Sequence, residues 1–230
     1  MSRVLIIGDT HAPAMRAHYP EFLEDIYAQW DCDRVVHIGD AVDFHGISYH
    51  LKHTDLPNIE NEIEIAVEQL SELYDRFPVV DYMTGNHSDL PNRQATGIGI
   101  PAKLMRSLGE ILDMPSGWTV HPRFADLEID DVFYRHGDKG KSNTLNAARA
   151  QADAEHRSVV AGHYHAQGGV SFGANQKHRW FGMQVGCGTE TNSPYMRYSK
   201  IYAAKPIVGC GVVLDGEYPI FEPMPLEEYV

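Results

Sequence analysis

Cysteine is scarce in this 230-residue chain, and the three present, Cys32, Cys187 and Cys210, form neither an even set nor a CxxC pair. That excludes a disulfide framework and a thiolate metal site as organising features, and buried, reduced thiols are expected. Long apolar runs are missing as well. The first, Val4 to Ile7, is too short for a signal peptide, and no later run approaches the ~20 residues of a membrane span, so the chain reads as cytoplasmic with no membrane partner. Bases are under-represented: 19 Lys and Arg face 32 Asp and Glu, a formal charge of -13 that argues against a general polyanion-binding surface. The deficit is uneven. From His156 to Leu214 the only acid is Glu190, set against Arg157, Lys177, Arg179, Arg197, Lys200 and Lys205. No Pro-, Gly- or Ser-rich linker, low-complexity stretch or internal repeat divides the sequence. With 43% hydrophobic content available for a core, one domain over residues 1–230 is expected.

What the chain does have is order in its apolar pattern. Continuous runs at Val4–Ile7, Arg34–Ile38, Val79–Met83, Val132–Tyr134 and Ser158–Ala161 suit strands covered on both faces. Helical spacing lies between them. Pro20 and Glu21 open a segment with Phe22, Leu23, Ile26, Tyr27 and Trp30 on one face. Asn58, suited to an N-cap, precedes Ile59, Ile63, Ala66, Leu70, Leu73 and Phe77, and Ser142 precedes Leu145, Ala148 and Ala152. The alternation predicts a layered α/β fold with helices on the outer faces. After Gly162, short stretches at Gly169–Phe172, Arg179–Val185, Ile207–Leu214 and Tyr218–Phe221 predict a second, more antiparallel sheet packed on the first.

Five short segments each end an apolar run with metal-binding side chains: Asp9 and His11, Asp40 and Asp43, Asn86 and His87, His136, then His163 and His165. A lone DxH or HxH is weak evidence, because most are solvated loops. An ordered set past the C-terminal ends of five strands is strong, because open sheets place their sites there. Phosphate esters resist hydrolysis because the anionic centre repels a nucleophile and the alkoxide leaves poorly. Two divalent ions about 3.5 to 4 Å apart neutralise oxygens, ionise a water and hold the phosphoryl group in line. Such a pair requires a bridging carboxylate and mixed His, Asp and Asn donors, and that mixture is here. Oxygen and nitrogen donors without thiolate suit two ions of manganese, and also of iron, nickel, cobalt or zinc.

GDTH at Gly8–His11, GDAVD at Gly39–Asp43, GNH at Gly85–His87, HG at His136–Gly137 and GHYH at Gly162–His165 resemble, in sequence and in order, the calcineurin-like metallophosphoesterase family. The resemblance implies a two-sheet α/β sandwich. It assigns Asp9, His11 and His165 to one metal, Asn86, His136 and His163 to the other, and Asp40 to the bridge between them. It gives His87 the role of general acid or phosphate-orienting group, with Asp43 as orienting partner and a metal-bridging hydroxide as nucleophile. Phosphoprotein phosphatases of this family carry Arg directly after the last Asp of the second motif and an acid directly after GNH. Phe44 and Ser88 stand there instead, with Asp89 one place late, which weakens a protein-phosphatase assignment. The connections Phe44–Pro57 and Ser88–Ser116 are longer than in compact members and are expected to shape substrate access.

Gly137–Ser142 ends in GKS, but Arg135 occupies the place of the first glycine of a phosphate loop, so a nucleotide P-loop is rejected. His45, His50 and His53 read as loop histidines, and His18, His37, His121, His156 and His178 lack ligand spacing. Tyr195, Arg197, Tyr198 and Lys200, continued by Tyr202 and Lys205, interleave rings with cations. That pattern suits a base stacked on tyrosine with phosphate on a cation, and equally a subunit contact. The expectation is a metal-dependent hydrolase of phosphomonoesters or phosphodiesters, with a phosphorylated small molecule of nucleotide type as substrate. A nuclease or nucleic-acid end-processing phosphatase is the alternative within enzymes; the basic strip favours it and the net charge opposes it. A non-catalytic scaffold of the same fold is the alternative outside them, opposed by retention of all seven ligands and His87.

Overall fold

The computed structural model describes residues 1–49, 51–53, 55–139, 147–196 and 204–225. The chain opens with strand β1 (Arg3–Ile7) and helix α1 (Tyr19–Gln29), in whose first turn Pro20 sits where its missing N–H has no helical partner to lose. Strand β2 (Arg34–His37) leads to helix α2 (Ile59–Arg76). The Asn58 side chain accepts the Asn61 N–H at 3.0 Å, and Ala66, Leu70 and Leu73 bury one helical stripe. Between strands β3 (Val80–Met83) and β4 (Trp118–His121) the long connection carries helices α3 (Leu90–Gly97) and α4 (Leu108–Ile111). The latter starts at a Ser107–Glu110 capping box, and neither helix was expected from periodicity. Strands β5 (Leu127–Ile129) and β6 (Val132–Arg135), helix α5 (Ala147–Glu155) and strands β7 (Ser158–Ala161), β8 (Gly168–Ala174), β9 (Arg179–Val185), β10 (Gly209–Leu214) and β11 (Tyr218–Pro223) follow.

Two mixed sheets result. The first has the order β11-β10-β1-β2-β3-β4, and the second β5-β6-β7-β9-β8. Alternation along β1 separates the layers: Val4 and Ile6 pack with Val160, Phe181 and Met183 between the sheets, while Leu5 and Ile7 pack outward with Phe22, Leu23, Leu70 and Leu73 of α1 and α2. On the far side of the second sheet, Ala148 and Ala152 of α5 cover Val159 and Ala161. The architecture is the expected sandwich with helices outside.

One expectation is corrected. The four C-terminal strands do not form a sheet of their own. β8 and β9 join β6 and β7, whereas the β10–β11 hairpin joins the first sheet, pairing antiparallel with β1 from Arg3↔Leu214 to Ile7↔Cys210. The physical reason is the open edge of β1, which β2 pairs on one side only. An unpaired apolar edge is a site of misassociation, and the hairpin closes it. Of the third expected helix, Ala147 onward is helical, while Ser142 and Leu145 lie outside the described residues. All three cysteines are free and buried, and among the described residues no helix is long and apolar enough to cross a membrane.

Leu70 is fully buried between α2 and the first sheet. Leu70→Ala is expected to lower the unfolding free energy by about 2 to 5 kcal/mol in urea titrations. A loss below about 1 kcal/mol would contradict this packing.

Candidate metal centre

The first candidate ligand of each segment lies within three residues of a strand end: Asp9 after β1, Asp40 after β2, Asn86 after β3, His136 directly after β6 and His163 after β7. The parallel runs β1-β2-β3 and β6-β7 aim these five ends at one place between the sheets. Bringing them close requires bare backbone. A Cβ on Gly85 would overlap the Asp40 carboxylate, and one on Gly162 would overlap Asp9. His11, Asp40 and His163 have φ of 46°, 43° and 68°. For side-chain-bearing residues this left-handed conformation costs about 1 to 3 kcal/mol each and persists only where the surroundings enforce it.

Asp9, His11 and His165 form one group whose ligand atoms lie within 4.8 Å of one another, and Asp40, His136 and His163 form a second. In the first, Asp9 Oδ2 lies 3.2 Å from His165 Nε2 and accepts the His163 backbone N–H at 3.0 Å. In the second, His136 Nε2 lies 3.1 Å from Asp40 Oδ2 and 3.1 Å from Asn86 Oδ1, which brings Asn86 into the group. Asp40 Oδ2 also lies 3.9 Å from His11 Nε2, so one carboxylate oxygen faces both groups. Its Oδ1 accepts the backbone N–H groups of His87 and Ser88 at 2.8 and 3.1 Å.

A third grouping, His11, Asp43 and His87, overlaps the first through His11. Asp43 Oδ1 lies 2.9 Å from His11 Nδ1 and 3.2 Å from His87 Nδ1, and the Asp43 carbonyl is 2.9 Å from the same His87 nitrogen. Asp43 therefore orients two rings, where the sequence predicted one.

Asp9, His11, Asp40 and Asp43 are at most 1% exposed. Burial works to raise both Asp9 and Asp40, yet both carboxyls are held below the usual range, chiefly by the charge of His136. Burial likewise opposes charge on His136, but Asp40 and Asp9 prevail and lift it to about 10. His87 is lifted to about 9 against its own burial by the Asp43 hydrogen bond and by Asp40, and Asp43 is correspondingly depressed. Burial and the neighbouring His136 charge drop His163 to about 4. Asp9 and Asp40 thus favour the charged form of His136, and it favours theirs.

That compensation is incomplete. Asp9 Oδ1 and His11 Nε2 are buried lone-pair atoms with no hydrogen-bond partner among the described residues. Orphans of this kind are costly and mark a missing partner, and both belong to the first group. The donor set therefore fits divalent metal.

Beneath the centre lies a layer the sequence did not reveal. Glu62 of α2, fully buried, accepts the His45 and Gly46 N–H groups at 2.6 and 2.9 Å and so pins the turn that follows Asp43. His45 is buried there, 4.0 Å from the Asp43 carboxylate and stacked on His53, with the Tyr195 ring edge-on at 6.2 Å. Tyr195 itself is 6% exposed and packs with Ala14 and Met196. Arg197, Tyr198 and Lys200 lie outside the described residues, as do His50, Tyr202 and the GKS lysine, Lys141. Arg123 donates to Asp138 at 2.7 Å and lies 3.5 Å from Asp89, tying the segment after His136 to the segment after His87. Spacing offered no sign of Arg123; Glu62 was hidden among the surface acids of its helix.

The sequence profile of the calcineurin-like phosphoesterase family matches residues 2–184. No curated protein matches the chain at a significant level. Among solved structures the chain is similar to a single mutant of Vps29 from Entamoeba histolytica, at 14% identity over 96% of this chain and 87% of that one, with a TM-score of 0.42. It is similar to Yfce, a phosphoesterase from E. coli, at 14% identity over 92% and 88%, with a TM-score of 0.42. Vps29 from Chaetomium thermophilum aligns at 10% identity over 92% and 84%, with a TM-score of 0.46.

Burial pushes the Glu62 carboxyl up to about 7 from 4.5, with the two backbone N–H bonds offsetting only part of the effect. The unfolded chain ionises this group first, so between those pH values the folded state holds more protons and stability falls as pH rises. The contribution is fully present below about pH 4.5 and is lost as pH passes through about 7. Glu62→Gln carries no such proton. Its unfolding free energy relative to wild type is expected to rise by about 1 to 3 kcal/mol between pH 4.5 and 8, beyond any constant offset from the amide. A difference that stays flat with pH would contradict a buried neutral acid.

Proposed function

Because the chain belongs to the calcineurin-like phosphoesterase family, we propose that residues 1–230 form a single metal-dependent hydrolase of phosphomonoesters or phosphodiesters of nucleotide type. The observation that carries this reading is the pair of buried His and Asp groups that share Asp40 and leave Asp9 Oδ1 and His11 Nε2 without a hydrogen-bond partner among the described residues. Asp9, His11 and His165 would hold one divalent ion, Asn86, His136 and His163 a second, and Asp40 would touch both, with manganese well suited to the donors. When bound, such ions supply charge neutralisation at the phosphoryl oxygens and an acidified water.

The chain's own residues do the rest. Asp43 holds Nδ1 of His87, which assigns proton transfer to Nε2, and the Asp43 hydrogen bond favours the protonated ring that a donor to the leaving alkoxide requires. The Asp40 Oδ1 bonds to the His87 and Ser88 N–H groups fix the height of that ring over the centre. Burial of the carboxylates excludes water from everything but the open side of the site. A nucleotide rather than a long nucleic acid is supported by the net charge of -13 combined with a basic third of the chain. Convergence of all seven ligand positions supports an enzyme over a scaffold, which has no need of a preorganised donor set.

Protein stripped with a chelator is expected to lose hydrolysis of bis-p-nitrophenyl phosphate and to regain it with Mn²⁺. Undiminished turnover after chelation would contradict the reading. His87→Ala should lower kcat by about 10²-fold or more with bound metal unchanged, and the loss should be greater for alkyl than for p-nitrophenyl leaving groups, which need a proton least. Equal losses on both would remove His87 as the acid.

A further inference from the structure

The two long connections that flank the centre meet at one cation. Arg93, on α3 and six residues past His87, donates from Nη1 to the Asn86 carbonyl at 3.2 Å, and its guanidinium lies 5.0 Å from the centroid of the Tyr49 ring. Tyr49 comes from the segment after Asp43 and is 63% exposed. Gln94, the next residue, donates to the Ile47 carbonyl at 2.7 Å and so locks the two segments in register. Ring and guanidinium are thereby set beside a proposed ligand, Asn86, from two sides of the site.

The charge on Arg93 is unspent. Arg16, Arg34, Arg76, Arg123, Arg135, Arg149 and Arg157 each meet a carboxylate within 4.0 Å. Among the described residues Arg93 meets none, which it shares with Arg106 and Arg179, but of these three it is Arg93 that hydrogen-bonds a residue of the GNH motif. One of its five N–H groups is engaged by Asn86, and guanidinium geometry matches phosphate oxygens. An exposed tyrosine face stacks any nucleobase.

We propose that Tyr49 and Arg93 form a substrate subsite in which the Tyr49 ring stacks the base of a nucleotide and the Arg93 guanidinium binds an anionic oxygen of its phosphate. The assignment rests on the phosphoesterase reading and narrows it to substrates in which the alcohol esterified to phosphorus carries an aromatic base. The subsite is preorganised by the Gln94–Ile47 bond and the Asn86 carbonyl, so little ordering is left for the ligand to impose.

Equilibrium binding of adenosine monophosphate and of ribose 5-phosphate to the Mn²⁺-loaded protein, by calorimetry, separates the two halves of the subsite. Wild type should bind the nucleotide roughly tenfold or more tightly than the base-free sugar phosphate. Tyr49→Ala should abolish that preference and Tyr49→Phe should keep it. Arg93→Ala should weaken both ligands by about tenfold, with bound metal and thermal midpoint unchanged, and Arg93→Lys should recover only part of the loss, because an ammonium lacks the planar fork. Absence of binding to wild type, equal affinities for the two ligands, a preference that survives Tyr49→Ala, or wild-type affinities in Arg93→Ala would each overturn the subsite. Turnover is scored separately. A protein that shows the binding pattern but hydrolyses no ester with any metal would sink the phosphoesterase reading and leave the subsite standing. One that hydrolyses esters while Tyr49→Ala binds as wild type would do the reverse.

Discussion

Asp9, Asp40 and Asp43 lie almost wholly out of water where the ends of two sheets converge, and the electrostatics of these three carboxylates constrain everything around them. An uncompensated buried carboxylate costs several kcal/mol. Backbone N–H groups of His163, His87 and Ser88 and the rings of His11 and His136 offset much of that cost, and Asp9 Oδ1 has no hydrogen-bond partner among the described residues. The left-handed backbone at His11, Asp40 and His163 and the bare glycines Gly85 and Gly162 follow from the same demand, because donors must approach the carboxylates more closely than ordinary backbone allows. Strain and incompletely offset charge are concentrated in one place, and the donor set there fits a divalent cation.

The rigid part and the variable part of the site come from different elements. Strand ends of both sheets fix the candidate ligands, and each strand is anchored by the apolar layer between the sheets. The residues proposed to face a substrate beyond its phosphoryl group come instead from the connections after Asp43 and after His87, which carry their own short helices and are tied to each other by Gln94. Chemistry and selectivity can therefore vary independently, one set by the sheets and the other by the loops.

Much of this was legible in the sequence because it is written locally. Continuous apolar runs marked β1, β2, β3, β6 and β7, and the candidate ligands that the structure brings together follow them within a few positions, so strand ends and candidate site share one signal. Asn58 announced α2 because an N-cap is a contact over three residues. What escaped was non-local. The β10–β11 hairpin could have closed either sheet, and its choice depends on which strand edge stays open, a property of the assembled sheet. Glu62 looked like one more surface acid on an amphipathic helix, yet it is the residue whose helix face meets the turn after Asp43. The double duty of Asp43 toward His11 and His87 needed three dimensions too, since His11 lies far from both in sequence.

The central claim is that one carboxylate, Asp40, is shared by two metal sites. Titration of the metal-free protein with Mn²⁺, followed by electron paramagnetic resonance, tests it most directly. The claim predicts two ions per chain with the spectrum of an exchange-coupled pair, and loss of that coupling in Asp40→Asn. A single bound ion, or two ions with the spectrum of isolated Mn²⁺ and no response to Asp40→Asn, would contradict it.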